Sequence, residues 1–380
     1  VGGGVLDLEK KIVILYASAG HGHQKAAFAV LDAYQEKHPG HRAQAIDTIF
    51  FAHPFFGKLY TQTYYFQIKY VPWLWGFFYY LFDVPFVYFF VRLARRILNW
   101  ATARGLEAFL IKENPDVVIS THFLSTEVAS HLKEAGKIRS KLVTVVTDYL
   151  PHFVWTAKNV DCYAVALEET RQGLIHRGVD AKKISVLGIP VEKKFLKTHH
   201  RPDIRHRLGL ERNAFTVLIT SGGVGIGAIE SVVDEILSLC KSIHVLAVCG
   251  TNRHLFERLE KTAVRDPFLK VFGFVNNMDE LMEAADLVIG KGGGLTITES
   301  FVRHRPVLLF RSVPGQETRN ALCVTRSETG LATDSLKELK KRVGEFADQP
   351  EKLEALRQNV VKISKPSAAN AIVELAERGN

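Results

Sequence analysis

Eleven short runs of aliphatic and β-branched residues, separated by stretches of helical periodicity, constrain this 380-residue chain more than any other feature. In the first half they are KIVILYA, RAQAIDTI, PDVVIST, KLVTVVT, CYAVA and KISVLGI. In the second they are AFTVLIT, IHVLAVCG, LKVFGFV, LVIGK and PVLLF. Runs that stay apolar instead of alternating belong to strands covered on both faces, and strands separated by helices pair in parallel. An α/β protein is expected. Single cores stop growing at roughly 250–300 residues, so the chain should divide. A basic, polar stretch, Glu192 to Arg212 with Pro202 near its middle, marks the place. Residues 1–195 and 213–380 are therefore expected to form two Rossmann-like domains facing a central cleft, with 196–212 as linker.

Composition adds bounds. Hydrophobic residues at 47% and charged residues at 23% describe a folded globular chain. A net charge of +9 favours an anionic partner without choosing between nucleic acid, phosphate and membrane. Cys162, Cys240, Cys249 and Cys323 have no CxxC spacing, which supports neither a disulfide framework nor a zinc site. The opening VGGGVLDLEK has no basic and apolar regions of a secretory signal, and a reducing compartment is expected.

One segment breaks the strand–helix pattern. Phe50 to Trp100 holds 21 of the 39 aromatic residues, five basic residues (Lys58, Lys69, Arg92, Arg95, Arg96) and one acid, Asp83. Inside it, Val71 to Val91 has the length of a bilayer span. Asp83, Pro72, Pro85 and a position between strands of one sheet argue against a span. The expectation is a helix pair that dips into one leaflet, its Trp and Tyr at headgroup level and Arg92, Arg95 and Arg96 against anionic membrane lipids. The aromatics are clustered rather than interleaved with Lys and Arg, so nucleic acid is not the expected partner.

Three small-residue loops follow strands. Gly20-His21-Gly22-His23 turns a strand into a helix; it has G-x-G but lacks the third glycine of a dinucleotide fingerprint. Ser221 to Gly227, with Gly223 among its glycines, follows the first strand of the second half. Gly290-Lys291-Gly292-Gly293-Gly294-Leu295-Thr296 opens a helix carrying Glu299, and Pro314-Gly315-Gln316-Glu317-Thr318-Arg319-Asn320 comes next. Amides at Gly294 to Thr296 can take a diphosphate without a metal, and Glu299 is placed to accept hydrogen bonds from a ribose diol. Gln316 and Asn320, four apart, can face one sugar. A surface role for Glu299 is the plain alternative. His199-His200 reads as a solvated pair.

Together, GHGHQKAA, VTDYLPHFVW (Val146 to Trp155), GKGGGLTITES and PGQETRN resemble the monogalactosyldiacylglycerol synthase and processive diacylglycerol glucosyltransferase family of GT-B glycosyltransferases. The resemblance implies two Rossmann-like domains, an acceptor- and membrane-binding one first and a UDP-sugar-binding one second. It places His23 and Asp148 as candidates for activating the acceptor hydroxyl. Gly22, Gly223, Gly293, Gly294, Leu295 and Thr296 would lie along the bound substrates, Glu299 on ribose, Gln316, Glu317 and Asn320 near the hexose, and Phe274 and Val275 around the uracil. Many relatives have proline at the position of Gly292 and alanine at that of Ser300, from which a looser loop follows.

The implied reaction moves a hexose from UDP-glucose or UDP-galactose to diacylglycerol, with inversion, on the cytoplasmic face of the membrane, the enzyme being peripheral. Asp148 is favoured as base, with His23 positioning acceptor or anionic lipid, and Lys291 aids the departing UDP. No DxD motif is present and no metal or cofactor is expected. A MurG-like transfer to another lipid, a UDP-N-acetylglucosamine 2-epimerase and a basic binding module are the alternatives.

Overall fold

The computed structural model describes residues 10–18, 21–51, 67, 70–222 and 228–378, with the backbone alone at 96–102. Gly223, Gly225 and Gly227 of the loop 221–227, Gly20 and the stretch 52–66 lie outside the described residues. The chain divides into two compact units, residues 1–192 with 366–380, and residues 193–365.

The first unit is built on a parallel six-stranded sheet in the order β2-β1-β3-β4-β5-β6. Its strands are β1 Ile12–Tyr16, β2 Ala43–Asp47, β3 Val117–Ser120, β4 Lys141–Val145, β5 Cys162–Val165 and β6 Ile184–Val186. Side chains alternate across β1. Ile12, Ile14 and Tyr16 join a core with Val30, Tyr34 and Ile372, whereas Val13 and Leu15 join one with Leu106, Leu110, Leu132 and Trp155 on the other face. Burial on both faces is why these strands are apolar throughout.

The second unit repeats the plan in the order β12-β11-β10-β7-β8-β9. Its strands are β7 Thr216–Thr220, β8 His244–Val248, β9 Leu269–Phe272, β10 Leu287–Gly290, β11 Val307–Phe310 and β12 Gly330–Thr333. The eleven expected strands are all present, and β12 is an addition. Its sequence, Gly-Leu-Ala-Thr, is short and only partly buried, so it carries no apolar run. Gly330 is required there by contact: a Cβ would lie 2.1 Å from the Val307 carbonyl oxygen.

Two boundaries differ from the sequence reading. The stretch 196–212 is packed structure of the second unit. Helix Arg201–Arg207 buries Ile204 and Arg205, and the Arg205 guanidinium donates to the carbonyls of Ala284, Glu211 and Ala214 at 2.5–2.7 Å. His199 is not solvated either; it pairs with Asp279 at 2.8 Å. The other end also moves. Helix Ala368–Glu377 belongs to the first unit and not to a domain 213–380, because Ile372, Val373 and Ala376 complete that unit's core.

Between β2 and β3 the described part of the aromatic segment forms helices Pro72–Leu81 and Pro85–Thr102. Each opens on a proline, whose fixed φ and missing N–H suit a first helical position. The pair bends by 102° at the break, and among the described residues no single helix is long and apolar enough to cross a membrane. Trp73, Phe86 and Phe89 are 68, 75 and 67% exposed. Arg95 faces inward, paired with Glu127 and lying over the Phe123 ring at 5.2 Å, so it is not held out toward lipid as expected. The Arg96 side chain lies outside the described residues.

Candidate active site

In a doubly wound parallel sheet, loops at the carboxyl ends of two strands that run off in opposite directions leave a crevice. In the first unit that point lies between β1 and β3. The loop after β1 leads into helix His21–Lys37, and β3 is followed by Thr121 and His122, the latter capping helix Phe123–Glu134. His21 is exposed, Gly22 is half-buried in the first turn, and His23 turns inward.

His23 Nδ1 lies 2.7 Å from the Thr121 carbonyl oxygen and 3.1 Å from the Thr147 hydroxyl. A carbonyl oxygen only accepts, so Nδ1 carries the hydrogen and Nε2 of the neutral ring keeps its lone pair. Burial pushes the His23 pKa down to about 4, against a smaller upward pull from the Thr121 hydrogen bond. The ring meets His122 edge-on at 4.7 Å. His122 is itself held well below the usual histidine range, by burial first and then by His23 and Arg95. The His23 ring is thus neutral at pH 7.

Asp148 follows β4 and is 5% exposed, its Oδ2 accepting the indole N–H of Trp155 at 2.7 Å. The indole lies 6.4 Å from the His23 ring. His23 and Asp148, expected together, thus flank one buried tryptophan. The sequence reading quoted Thr121, Thr147 and Trp155 within longer runs without a role and passed over His122. Their signal was polarity: three polar residues, Ser120 to His122, close an apolar strand at the sheet's ligand-binding edge.

In the second unit the strand order reverses between β7 and β10. The loop after β10 leads through Lys291, Gly292 and Gly293 into helix Gly294–Val302. The first hydrogen bond of that helix is from the Ile297 amide to the Gly293 carbonyl, so the amides of Gly294, Leu295 and Thr296 are not used within it. Glu299 is 4% exposed, which removes its surface reading.

The glycine loop is braced, not loose. A Cβ on Gly292 would lie 2.2 Å from the Glu317 carbonyl oxygen, which leaves no room here for a larger residue. Asn320, fully buried, donates its side-chain amide to the Gly292 carbonyl at 2.9 Å. It therefore supports the loop, where the sequence reading had set it beside Gln316 against a sugar. Gln316 is half-buried at the start of helix Gln316–Arg326, behind Gly315, whose φ of +104° excludes other residues without strain. The Glu317 carboxylate accepts the Val313 amide at 2.8 Å. Burial raises its pKa against the pull of that bond and of Lys291. Burial lowers the Lys291 pKa, and Glu317 opposes it. Ser300, also buried, donates to the Arg305 carbonyl. Beyond β9, Phe274 is 60% exposed and Val275 half-buried. Among the described residues no group of three His, Cys, Asp or Glu side chains could hold a metal ion.

Comparison with known proteins finds two family models in tandem. Residues 23–191 match monogalactosyldiacylglycerol (MGDG) synthase, and residues 216–372 match the glycosyltransferase family 28 C-terminal domain. The processive diacylglycerol beta-glucosyltransferase of Staphylococcus aureus (strain Newman) is 27% identical over 372 residues, covering 96% of this chain and 93% of that protein. Among solved structures, Anabaena HepE in complex with UDP-glucose has a TM-score of 0.57 at 17% identity, covering 96% of this chain and 99% of its own. MurG of Acinetobacter baumannii has 0.59 at 14%, covering 97 and 99%. At such identities the structures show the GT-B fold. The chain thus carries a monogalactosyldiacylglycerol synthase domain and a glycosyltransferase family 28 C-terminal domain in tandem, and is a glycosyltransferase of GT-B fold similar to the diacylglycerol glucosyltransferases.

Proposed function

We propose that this glycosyltransferase moves a hexose from UDP-glucose, or from UDP-galactose, to the free hydroxyl of diacylglycerol at a membrane surface, giving a β-glycosyldiacylglycerol. The observation that carries the lipid acceptor is the exposed aromatic face of the bent helix pair, which sits on the same unit as His23. Large exposed rings are costly in water and stabilised at the headgroup level of a bilayer.

His23 takes the acceptor proton through Nε2 as the hydroxyl oxygen attacks the anomeric carbon, and the carbon–oxygen bond to UDP breaks on the opposite face. This reverses the assignment favoured from sequence: the histidine is neutral and its tautomer fixed, whereas Asp148 is engaged with the Trp155 indole. The amides of Gly294 to Thr296, which the helix does not use, take the charge that develops on the diphosphate, aided by Lys291. That charge is met by main-chain dipoles, so no divalent ion is required. Glu299 holds the ribose, and Phe274 with Val275 frames the base.

The test is to incubate purified protein with diacylglycerol vesicles and each UDP-hexose, with and without EDTA, and to read the products by mass and anomeric coupling. A β-glycosyldiacylglycerol formed equally in EDTA is expected. An α-linked product, or transfer to a water-soluble acceptor alone, overturns the reading. Replacing Trp73, Phe86 and Phe89 by serine should cut sedimentation with vesicles by about 10²-fold or more, since each large buried ring contributes roughly 1.5–3 kcal/mol. UDP affinity should stay unchanged.

A further inference from the structure

Asp83 lies in the turn between helices Pro72–Leu81 and Pro85–Thr102, surrounded in sequence by aromatic residues, yet its side chain is only 7% exposed. A carboxylate taken out of water costs several kcal/mol unless its oxygens are met by charge and hydrogen bonds. Here they are. Oδ1 accepts the Phe153 amide at 2.8 Å, and Oδ2 accepts an Nη2–H of Arg177 at 2.7 Å. Arg177, just past helix Glu168–His176, also donates to the Gly173 carbonyl at 3.0 Å, and its guanidinium lies 5.2 Å over the Phe153 ring.

The same short segment is held at neighbouring points. His152 donates from Nε2 to the Tyr79 carbonyl at 2.8 Å and accepts the Val154 amide at Nδ1. Tyr88, from the second helix of the pair, stacks on Phe153 at 5.3 Å. A Cβ on Gly173 would meet Pro151 at 2.7 Å. Residues 151–155 are thus gripped between the turn of the helix pair and the helix ending before Arg177. Trp155 ends that run and Asp148 lies three residues before its start, the two joined by their own hydrogen bond beside His23.

From this geometry we propose that Asp83 is a positioning residue, clasped by Arg177 and the Phe153 amide, which fixes the turn of the aromatic helix pair to the segment carrying Asp148 and Trp155 and so sets the wall of the acceptor site beside His23. The role rests on the reading of the first unit as the acceptor side. It ties the element that meets lipid to the residues that meet the acceptor hydroxyl. An ordinary turn anchor would contribute to stability alone; a clasp of this kind sets where Trp155 and Asp148 lie.

Asp83→Asn keeps the shape and can still accept the Phe153 amide, but gives Arg177 no charge. In the full-length chain on diacylglycerol vesicles it should lower kcat by about 10- to 100-fold, the range expected of a small misplacement. The KM for the UDP-sugar, sedimentation with vesicles and Tm should stay near those of the wild type, and Asp83→Glu should recover part of the turnover. Independently of activity, the indole N–H resonance of Trp155 in 15N-tryptophan-labelled protein, assigned with Trp155→Phe, should move in Asp83→Asn. Wild-type turnover in Asp83→Asn and Asp83→Ala with the resonance in place overturns the proposal. So does a loss of turnover that follows loss of vesicle binding or of Tm. If the wild type transfers no hexose at all, the proposed function fails while the resonance still decides the clasp.

Discussion

His23 is neutral at pH values where a solvated histidine is half charged, and this one property governs two measurable quantities. If His23 Nε2 is the base, the acid limb of kcat/KM should fall near its folded pKa of about 4 and not near the usual value of about 6.5. A limb at the usual value would mean a solvated ring. His23→Gln should cost roughly 10²–10⁴ in turnover, the span of a positioned acid–base group. Asp148→Asn should cost less, since an amide oxygen still accepts the Trp155 indole; the opposite order returns the base to Asp148. The shift also bears on stability. The folded pKa is depressed, so below about 6.5 the unfolded chain binds a proton that the folded chain refuses. Stability is complete above that pH and falls as pH drops toward 4. His122, His244 and His304 shift in the same direction through burial, so Tm should decline steadily between pH 6.5 and 4; a flat Tm would contradict the burial of these rings. The sequence gives the presence of His23 in a glycine turn, but not its tautomer, which depends on a carbonyl 98 residues away.

The donor elements behave as a braced loop and a helix start, and each is tested by one added methyl group. Gly292→Ala would push a Cβ into the Glu317 carbonyl, where backbone on both sides must move. Overpacking of this kind costs roughly 1–3 kcal/mol. The helix start at Gly294 would shift with the loop, because Asn320 binds the Gly292 carbonyl from the far side. The expected result is a raised KM or Kd for the UDP-sugar, read by calorimetry, with the first unit's melting unaffected; an unchanged Kd would show that the loop does not set donor affinity. The glycines, the helix and Glu299 were legible because a strand–glycine–helix junction has a composition of its own. The use of Asn320 was not, because four-residue spacing puts two side chains on one face without saying which faces inward. A similar limit applied to the aromatic segment. Length, prolines and a lone acid indicated a bent pair, while the inward pairing of Arg95 with Glu127 depends on a helix that follows β3.

At the scale of the whole molecule, the chain's last helix returns to the unit built from its first residues, and that return can be tested by removing it. Helix Ala368–Glu377 places Ile372, Val373 and Ala376 in the core beneath β1 and β4 and lies along helix His21–Lys37. Lys141 donates to the Leu375 carbonyl at the helix's end, and Glu377 pairs with Lys37 and His38. A linear strand count from the sequence assigns this helix to the second half, since sequence adjacency is the only guide available there and helical periodicity does not name a partner. Each large apolar side chain withdrawn from the core is worth roughly 1.5–3 kcal/mol, and two or three of them rival the ~5–15 kcal/mol that holds a whole domain folded. The chain ending at residue 365 should therefore melt in two steps, with the first unit's transition lowered by many degrees. UDP binding should survive, because the glycine loop, Glu299, Gln316 and Phe274 all lie within residues 193–365. A single transition at the full-length Tm would mean that the helix contributes nothing to the first unit. Loss of UDP affinity with the first unit intact would mean instead that the helix acts on the donor side.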